Sequence, residues 1–196
     1  MASIILASGS SARAALLTGA GVPFEKIPAD LDEDQIKQQM VGENPAHIAA
    51  KLAEEKARVV ARQFPGRYVL GADQMLALGT RLFDKPKTLA EARDALSLLR
   101  GQTHVLISAA TVVCDDVVVW ETTRIARLTM RYFSDDFLEA YLSDGGRELL
   151  DSVGAYRLEG DGVQLFDQID GDYFTILGLP LVPLLDFLRR IAMLPT

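Results

Sequence analysis

The chain has 196 residues, and its 49% hydrophobic and 24% charged residues are typical of a globular protein that buries a full core. Its 27 acidic residues outnumber its 20 basic ones, and the formal net charge of −7 excludes a broad nucleic-acid surface and disfavours binding to anionic membranes. The lone cysteine, Cys114, cannot form an internal disulfide and favours a reducing, cytoplasmic compartment. The most apolar stretch, 176–185, is too short to span a membrane.

The N-terminal segment predicts a strand, a polar loop and a helix. A β-rich run covers 4–6, and Ser10 or Ser11 is placed to cap the helix that follows. The free amides at the start of that helix favour an anionic ligand in the loop.

Residues 24–27 form a short segment that is followed by an acidic loop at 29–35. A long amphipathic helix is then predicted to begin at Pro45. Helical periodicity places Lys56 in the middle of the apolar face of this helix. The lysine either snorkels at the edge of the core or meets an anion, and the sequence leaves both open. Because apolar volume would replace a buried charge, Lys56→Met is expected to raise thermal stability in the absence of nucleotide and to weaken activity.

A buried strand within 67–78 is expected to deliver Asp73 at its carboxyl end, where open α/β sheets place ligands. Asp73 is alternatively a turn-capping residue, and Lys85 in the following loop is alternatively a solvated cation. Glu33 has the same ambiguity, since the acidic loop is either solvated or caps a helix.

The rest of the chain alternates helices and strands without strict βαβ order, which predicts an α/β fold with a mixed sheet. The predicted elements are a hairpin at Gly79–Thr80, a helix capped by Thr88, long strands at 103–114 and 117–133, a helix at 135–142, a short helical or irregular piece at 155–158, a strand at 163–169 and a helix at 180–193.

Several catalytic chemistries find no support in the residues. There is no nucleophile elbow, no P-loop and no dinucleotide-binding fingerprint, and a lone cysteine excludes a cysteine-based zinc site. His47 and His104 are the two histidines, and each is more typical of a surface or core residue than of a triad. A serine-rich loop, carboxylates and anion-seeking lysines together suit a metal-bound polyphosphate.

Eight segments, taken in order, resemble the Maf family of nucleoside triphosphate pyrophosphatases. They are ILASGSSARAALL with GVPFE near the N-terminus, DLDE at 30–33, LAEEKA at 52–57, GADQ at 71–74, DKP at 84–86, ARDALSLLRGQTH at 92–104, DSVGAYRLEG at 151–160 and IDGDYFTILGLPL at 169–181. The resemblance implies a single bilobed domain over 1–196, similar to the inosine triphosphate pyrophosphatases, with a nucleotide in its cleft. It also implies hydrolysis of a nucleoside triphosphate to the monophosphate and pyrophosphate with a divalent cation, Mg²⁺ or Mn²⁺.

The resemblance assigns roles residue by residue. Asp73 matches the family's catalytic aspartate, proposed as proton acceptor for the attacking water, and the residues do not separate that role from metal ligation. Glu33 joins Asp73 as a metal ligand. Lys56 and Lys85 match further charged catalytic positions. Ser8 and Arg13 match the N-terminal loop that binds phosphate.

Base selection in the family is associated with three positions, occupied here by Ala12, Gln74 and Glu159. Gln74 and Glu159 resemble the branch that acts on 7-methyl-GTP, whereas the branch that acts on dTTP and UTP tends to have Thr and Gln at these positions. Ala12 departs from both branches. Ala14 and Asp84 also differ from the usual pattern, at the phosphate loop and at the turn before Lys85.

The resemblance leaves other roles open. One alternative is a septum-formation regulator that acts by binding partners, another is a nucleotide-binding module without turnover, and a homodimer is compatible with each. Because the whole chain is acidic, the expected nucleotide site is a small positive cleft formed by Arg13, Lys56, Lys85 and a metal.

Overall fold

The computed structural model describes residues 3–195, which form an α/β fold with one mixed sheet. The strands are β1 Ile4–Leu6, β2 Phe24–Lys26, β3 Val69–Leu78, β4 Arg81–Phe83, β5 Thr103–Cys114, β6 Val117–Met130 and β7 Phe166–Asp170. The helices are α1 Ser11–Gly19, α2 Glu33–Gln39, α3 Pro45–Ala61, α4 Leu89–Leu99, α5 Asp135–Gly145, α6 Tyr173–Ile176 and α7 Leu181–Arg190, with 3₁₀ segments at Gly146–Asp151 and Asp161–Leu165.

The strand order is β2-β1-β3-β5-β6-β7, and β4 pairs with β3. Strand β1 pairs in parallel with β2 and β3, whereas the pairs β3–β4 and β6–β7 are antiparallel. The predicted α/β class with a mixed sheet is therefore confirmed. Within residues 3–195, no helix is long and apolar enough to cross a membrane.

The chain divides into two compact units. The first contains residues 3–74, Ile107–Arg124 and 173–195, and the second contains Met75–Leu106 and Ile125–Asp172. Each unit buries its own apolar side chains.

In the first unit, the two faces of the sheet pack against different helices. Leu70 and Ala72 of β3 face the side covered by α1 and α7, where Leu17 and Leu184 are buried. Val69 faces the other side, which α3 covers. Successive side chains of a strand point to opposite faces, so adjacent residues of β3 pack against different helices.

Gly71 allows α3 to approach β3 closely. A Cβ atom at this position would lie 2.0 Å from the carbonyl oxygen of Ala53 and 2.8 Å from the amide nitrogen of Ala57. Both atoms belong to the backbone of α3 and cannot rotate away, so the site requires glycine.

The structure corrects two expectations about secondary structure and adds one short helix. The acidic loop contains α2, capped by Asp32, whose carboxylate accepts a hydrogen bond from the Gln35 amide at 3.0 Å. None of the residues of α2 is buried, so its sequence needs no apolar face. The helical periodicity that predicts amphipathic helices is therefore absent from this segment. Asp73 lies inside β3 rather than at its end, since the hairpin with β4 extends the strand to Leu78. Short helix α6 was not predicted.

Other local signals are confirmed. Ser10 caps α1, and Thr88 caps α4 by accepting a hydrogen bond from the Glu91 amide at 3.1 Å. The Glu91 carboxylate accepts from the Lys87 amide rather than from the Thr88 amide, so only half of a reciprocal capping box is present.

His104 is fully buried in the second unit. Its Nε2 lies 2.8 Å from the Tyr156 hydroxyl, and its Nδ1 has no hydrogen-bond partner among the described residues. Burial lowers the pKa of His104 from 6.5 to about 4, and burial also raises the pKa of Tyr156. His104 is therefore neutral at pH 7.

We expect Gly71→Ala to lower the free energy of unfolding by about 1–3 kcal/mol, because the added methyl group overlaps the α3 backbone. Urea unfolding followed by circular dichroism measures the change. Gly19→Ala is the matched control, since a Cβ there meets nothing within 4 Å. Equal denaturation midpoints for the two variants would contradict the proposed close contact.

We expect His104 to make stability depend on pH. Its folded pKa of about 4 lies below the unfolded value of 6.5, so the unfolded chain binds more protons between these values. Stability should therefore fall as pH falls from 6.5 towards 4, with a contribution of at most about 1.4 kcal/mol per pH unit. Urea unfolding at pH 7 and pH 5 measures the effect, and His104→Gln should remove this contribution. The control His47→Gln changes an exposed histidine and should keep it. Identical pH dependence in both variants would show that His104 is not responsible.

Candidate functional site

The loop between β1 and α1 organises two of the predicted phosphate-binding side chains. The Ser8 hydroxyl accepts hydrogen bonds from the Ser10 amide at 3.2 Å and from Nη1 of Arg13 at 3.1 Å. Ser10 in turn accepts a hydrogen bond from the Arg13 amide as the cap of α1. Ser8 and Arg13 thus lie together in the loop that precedes α1 and in its first turn.

The Arg13 guanidinium is fixed from two sides. Its Nε donates to the Gly178 carbonyl at 2.8 Å, in addition to the bond to Ser8. Burial lowers the pKa of Arg13, and the charges of Asp73 and Glu33 counteract this effect. Both carboxylates thus favour the charged form of the guanidinium.

The Lys56 ammonium lies between two carboxylates. Its Nζ is 2.6 Å from Oδ1 of Asp73 and 2.9 Å from Oε1 of Glu33. Lys56 is 8% exposed and Asp73 is 6% exposed, so this ion pair is buried. Of the two alternatives for Lys56, the anion contact is correct. Helices α2 and α3 and strand β3 each supply one member of this carboxylate–lysine cluster.

The charge of the cluster differs from the expected positive cleft. Two carboxylates against one ammonium leave a formal charge of −1 for Glu33, Lys56 and Asp73, and nearby Arg13 brings the total to zero. Lys56 therefore supplies no excess positive charge within the first unit, and a bound triphosphate would need further cations.

The predicted metal ligands, Glu33 and Asp73, both contact the Lys56 ammonium. Within residues 3–195, no group of three or more histidine, cysteine, aspartate or glutamate side chains is arranged to hold a metal ion. Two oxygen ligands suit Mg²⁺ or Mn²⁺ bound largely through substrate phosphates, and they do not suit a closed structural zinc site.

Gln74 follows Asp73 in sequence but lies on the opposite face of β3. Its amide nitrogen Nε2 is 2.9 Å from the Ser108 hydroxyl, 3.1 Å from the Thr175 carbonyl and 2.9 Å from the Ile176 carbonyl. The motif GADQ therefore sends its two polar side chains to different partners. Gln74 lies on the side of the sheet covered by α1 and α7.

The remaining predicted residues are divided between the units. Ala12 is half-buried in the first turn of α1. Lys85 and Glu159 belong to the second unit, where the Glu159 carboxylate accepts a hydrogen bond from Nε of Arg157 at 3.2 Å. Arg157 also binds Glu148.

Sequence reasoning missed Lys26, Ser108 and Gly178. Nζ of Lys26 donates to the Gly9 carbonyl at 2.8 Å, which places an exposed cation against the serine-rich loop. The parallel pairing of β1 and β2 would have indicated this position, because Lys26 is opposite Leu6 at the end of β1. Ser108 and Gly178 carry no local signal, since they act through residues distant in sequence.

The fold and these contacts define an α/β protein with a charged polar site beside the carboxyl end of a parallel strand, a position where such folds bind anionic ligands. Comparison with known proteins gives the family. The family model "Maf-like protein" matches residues 3–191, and the chain belongs to the Maf family.

Two relatives match over nearly their whole length. A nucleoside triphosphate pyrophosphatase of Rhodopseudomonas palustris (strain BisB18) is 52% identical over 187 residues, which is 95% of this chain and 93% of the relative. A 7-methyl-GTP pyrophosphatase of Rhizobium meliloti (strain 1021) is 48% identical over 191 residues, 96% of each chain. Among solved structures, a nucleoside-triphosphatase (dITP/XTP pyrophosphatase) from Mycobacterium abscessus matches 98% of each chain at 16% identity, with a TM-score of 0.41.

The contacts of Lys56 reverse the expected effect of Lys56→Met. Removing the ammonium leaves the buried Asp73 carboxylate without its partner, so we expect the free energy of unfolding to fall by about 3 kcal/mol. Lys51→Met on the same helix is the matched control, because Lys51 forms an exposed pair with Glu55 and its loss should cost less than about 1 kcal/mol. Urea unfolding at pH 7 compares them, and a Lys56→Met protein as stable as the control would mean that Asp73 is not dependent on Lys56.

Proposed function

We propose that the chain is a nucleoside triphosphate pyrophosphatase, a hydrolase acting on acid anhydrides that releases a nucleoside monophosphate and pyrophosphate. Its membership of the Maf family and two relatives of about half identical sequence support this activity. The observation that carries the proposal is the Asp73 carboxylate, buried and fixed by Lys56.

Asp73 is the proposed proton acceptor. Lys56 binds Oδ1 at 2.6 Å, which orients the carboxylate and leaves Oδ2 to take the proton of the attacking water. The water oxygen bonds to the α-phosphorus, the bond from phosphorus to the bridging oxygen breaks, and pyrophosphate leaves with that electron pair. A carboxylate held in one orientation has little conformational freedom to lose in the transition state.

Cationic side chains stabilise the phosphate charges in this proposal. Arg13 is held by Ser8 and Gly178 and offers its remaining N–H groups in a fixed plane, which suits phosphate oxygens. Lys26 donates to the adjacent Gly9 carbonyl and is exposed, so its ammonium is placed to bind the same anion. Lys56 and Lys85 are assigned the charge-neutralising role that the family resemblance gives them.

A divalent cation, Mg²⁺ or Mn²⁺, fits the site because the charges of Glu33, Asp73, Lys56 and Arg13 sum to zero and leave the charge of a triphosphate unbalanced. Glu33 and Asp73 would hold it. When bound, it neutralises phosphate charge and lowers the pKa of a water molecule.

Guanine nucleotides, including 7-methyl-GTP, are the proposed substrates. The support is the resemblance of Gln74 and of Glu159, each at its own position, to the 7-methyl-GTP branch of the family, together with the relative named 7-methyl-GTP pyrophosphatase. Glutamate and glutamine oxygens both accept hydrogen bonds, which suits the N1 and N2 donors of a guanine edge. Ala12 provides no stacking surface for the base.

We expect Asp73→Asn to lower pyrophosphate release by about 10²–10⁴-fold, because the amide cannot accept the proton. The assay measures monophosphate and pyrophosphate from GTP and 7-methyl-GTP with Mg²⁺ or Mn²⁺, and a thermal melt confirms that the variant folds. Asp34→Asn is the matched control, since Asp34 is an exposed residue in the first turn of α2.

Three outcomes discriminate among the candidate roles. Wild-type turnover retained by a folded Asp73→Asn protein would contradict the mechanism. Nucleotide binding by the wild type without turnover on any nucleoside triphosphate would support a non-catalytic module. Turnover lost in Asp73→Asn and kept in Asp34→Asn is the result that the proposal predicts.

A further inference from the structure

The two hydrogen-bond partners of the Arg13 guanidinium are uncharged oxygens. Its Nε donates to the Gly178 carbonyl at 2.8 Å, and its Nη1 donates to the Ser8 hydroxyl at 3.1 Å. A neutral acceptor orients a cation without cancelling its charge, whereas a carboxylate does both. The positive charge of Arg13 is therefore oriented by the protein and still available to an anion.

This arrangement resists a competing attraction. Burial opposes the charge of Arg13, and the carboxylates of Asp73 and Glu33 favour it. A guanidinium that turned freely would gain by bonding to one of these carboxylates, because charge-assisted hydrogen bonds are stronger than bonds to neutral oxygens. The Gly178 carbonyl holds the Nε side of the guanidinium and so limits that rotation.

The Gly178 carbonyl is itself fixed, because the residues before it are bonded to two strands of the sheet. Ser108 of β5 is fully buried and donates to the Thr175 carbonyl at 2.7 Å. Nε2 of Gln74 in β3 lies 3.1 Å from the Thr175 carbonyl and 2.9 Å from the Ile176 carbonyl. The amide of Gly178 closes the turn by donating to the Thr175 carbonyl at 3.1 Å. The turn 175–178 thus presents a carbonyl in a fixed place to Arg13.

The backbone at residue 178 favours glycine. Its φ of +92° lies in a region that other residues rarely adopt. A Cβ atom at Gly178 would lie 3.4 Å from both Nε and Nη2 of Arg13 and 3.7 Å from Cδ of Gln74. The methyl group of an alanine would therefore strain the turn that carries the carbonyl and would lie against the guanidinium.

Building on the proposed function, we infer that Gly178 is a positioning residue for the triphosphate, because its carbonyl holds the Arg13 guanidinium in the orientation that binds the phosphate chain. The glycine acts through Arg13 and not through a substrate contact of its own. All nucleoside triphosphates share the phosphate chain, so this contribution to binding is independent of the base.

The test compares Gly178→Ala with the wild type on GTP and on inorganic tripolyphosphate, which has no base. We expect kcat/KM for GTP to fall by at least about tenfold, mainly through KM, because a displaced charge-assisted hydrogen bond weakens binding of substrate and transition state alike. The inhibition constant of tripolyphosphate against GTP should rise by a similar factor. Gly42→Ala is the matched control and should behave as wild type, since Gly42 has a φ of +88° and a Cβ there meets nothing within 4 Å.

A double-mutant cycle separates positioning of Arg13 from a general structural effect. If Gly178 acts through Arg13, the loss caused by Gly178→Ala should shrink to less than about twofold in an Arg13→Met background. Arg13→Lys keeps the charge but replaces the planar guanidinium by a single ammonium, so it should also lose at least about tenfold in kcat/KM. This variant tests the inference independently if a thermal melt shows that Gly178→Ala does not fold.

The outcomes separate this inference from the function on which it rests. An equal loss from Gly178→Ala with and without the Arg13 guanidinium would overturn the inference and leave the proposed function standing. A loss on GTP with an unchanged inhibition constant for tripolyphosphate would do the same, and so would wild-type kcat/KM in Arg13→Lys. A wild type that releases pyrophosphate from no nucleoside triphosphate would overturn the proposed function and the inference with it.

Discussion

The buried ammonium of Lys56 is the constraint on which the candidate site depends. A lysine in the middle of an apolar helix face is tolerated only because Asp73 and Glu33 meet it at 2.6 and 2.9 Å. This contact joins α2, α3 and β3, and Gly71 makes it possible by letting α3 approach the strand that carries Asp73. The ion pair orients Asp73, and the cost of burying the charges is offset by their mutual attraction.

The pleat of β3 is the second constraint. It turns Asp73 towards α3 and Gln74 towards the α6 segment, so one dipeptide serves two groups of contacts. Arg13 connects these groups, because it is bonded to Gly178 and responds to the charges of Asp73 and Glu33. In the proposed enzyme, the acid–base group and the base-reading group are fixed separately by the two faces of the same strand.

The parts of this fold that were predictable from sequence are those with local causes. Ser10 and Thr88 are N-cap residues that predict where their helices begin. The glycine at Gly79–Thr80 predicts the hairpin turn. Helix α2 was not predicted because it has no buried face. Asp73 was predicted at the end of its strand, whereas β3 continues to Leu78. The resemblance to Maf proteins indicated which charged residues belong to the site. The contacts of Lys56 with Glu33 and of Gln74 with Ser108 join segments that are distant in sequence, so only the structure shows them.

The most direct test of the central constraint is a double-mutant cycle on Lys56 and Asp73, using Lys56→Met, Asp73→Asn and the double variant, with free energies of unfolding measured in urea at pH 7. Because the two side chains form a buried pair, we predict a coupling free energy of about 2 kcal/mol or more. A coupling within about 0.3 kcal/mol of zero would contradict the view that Lys56 holds Asp73 in place.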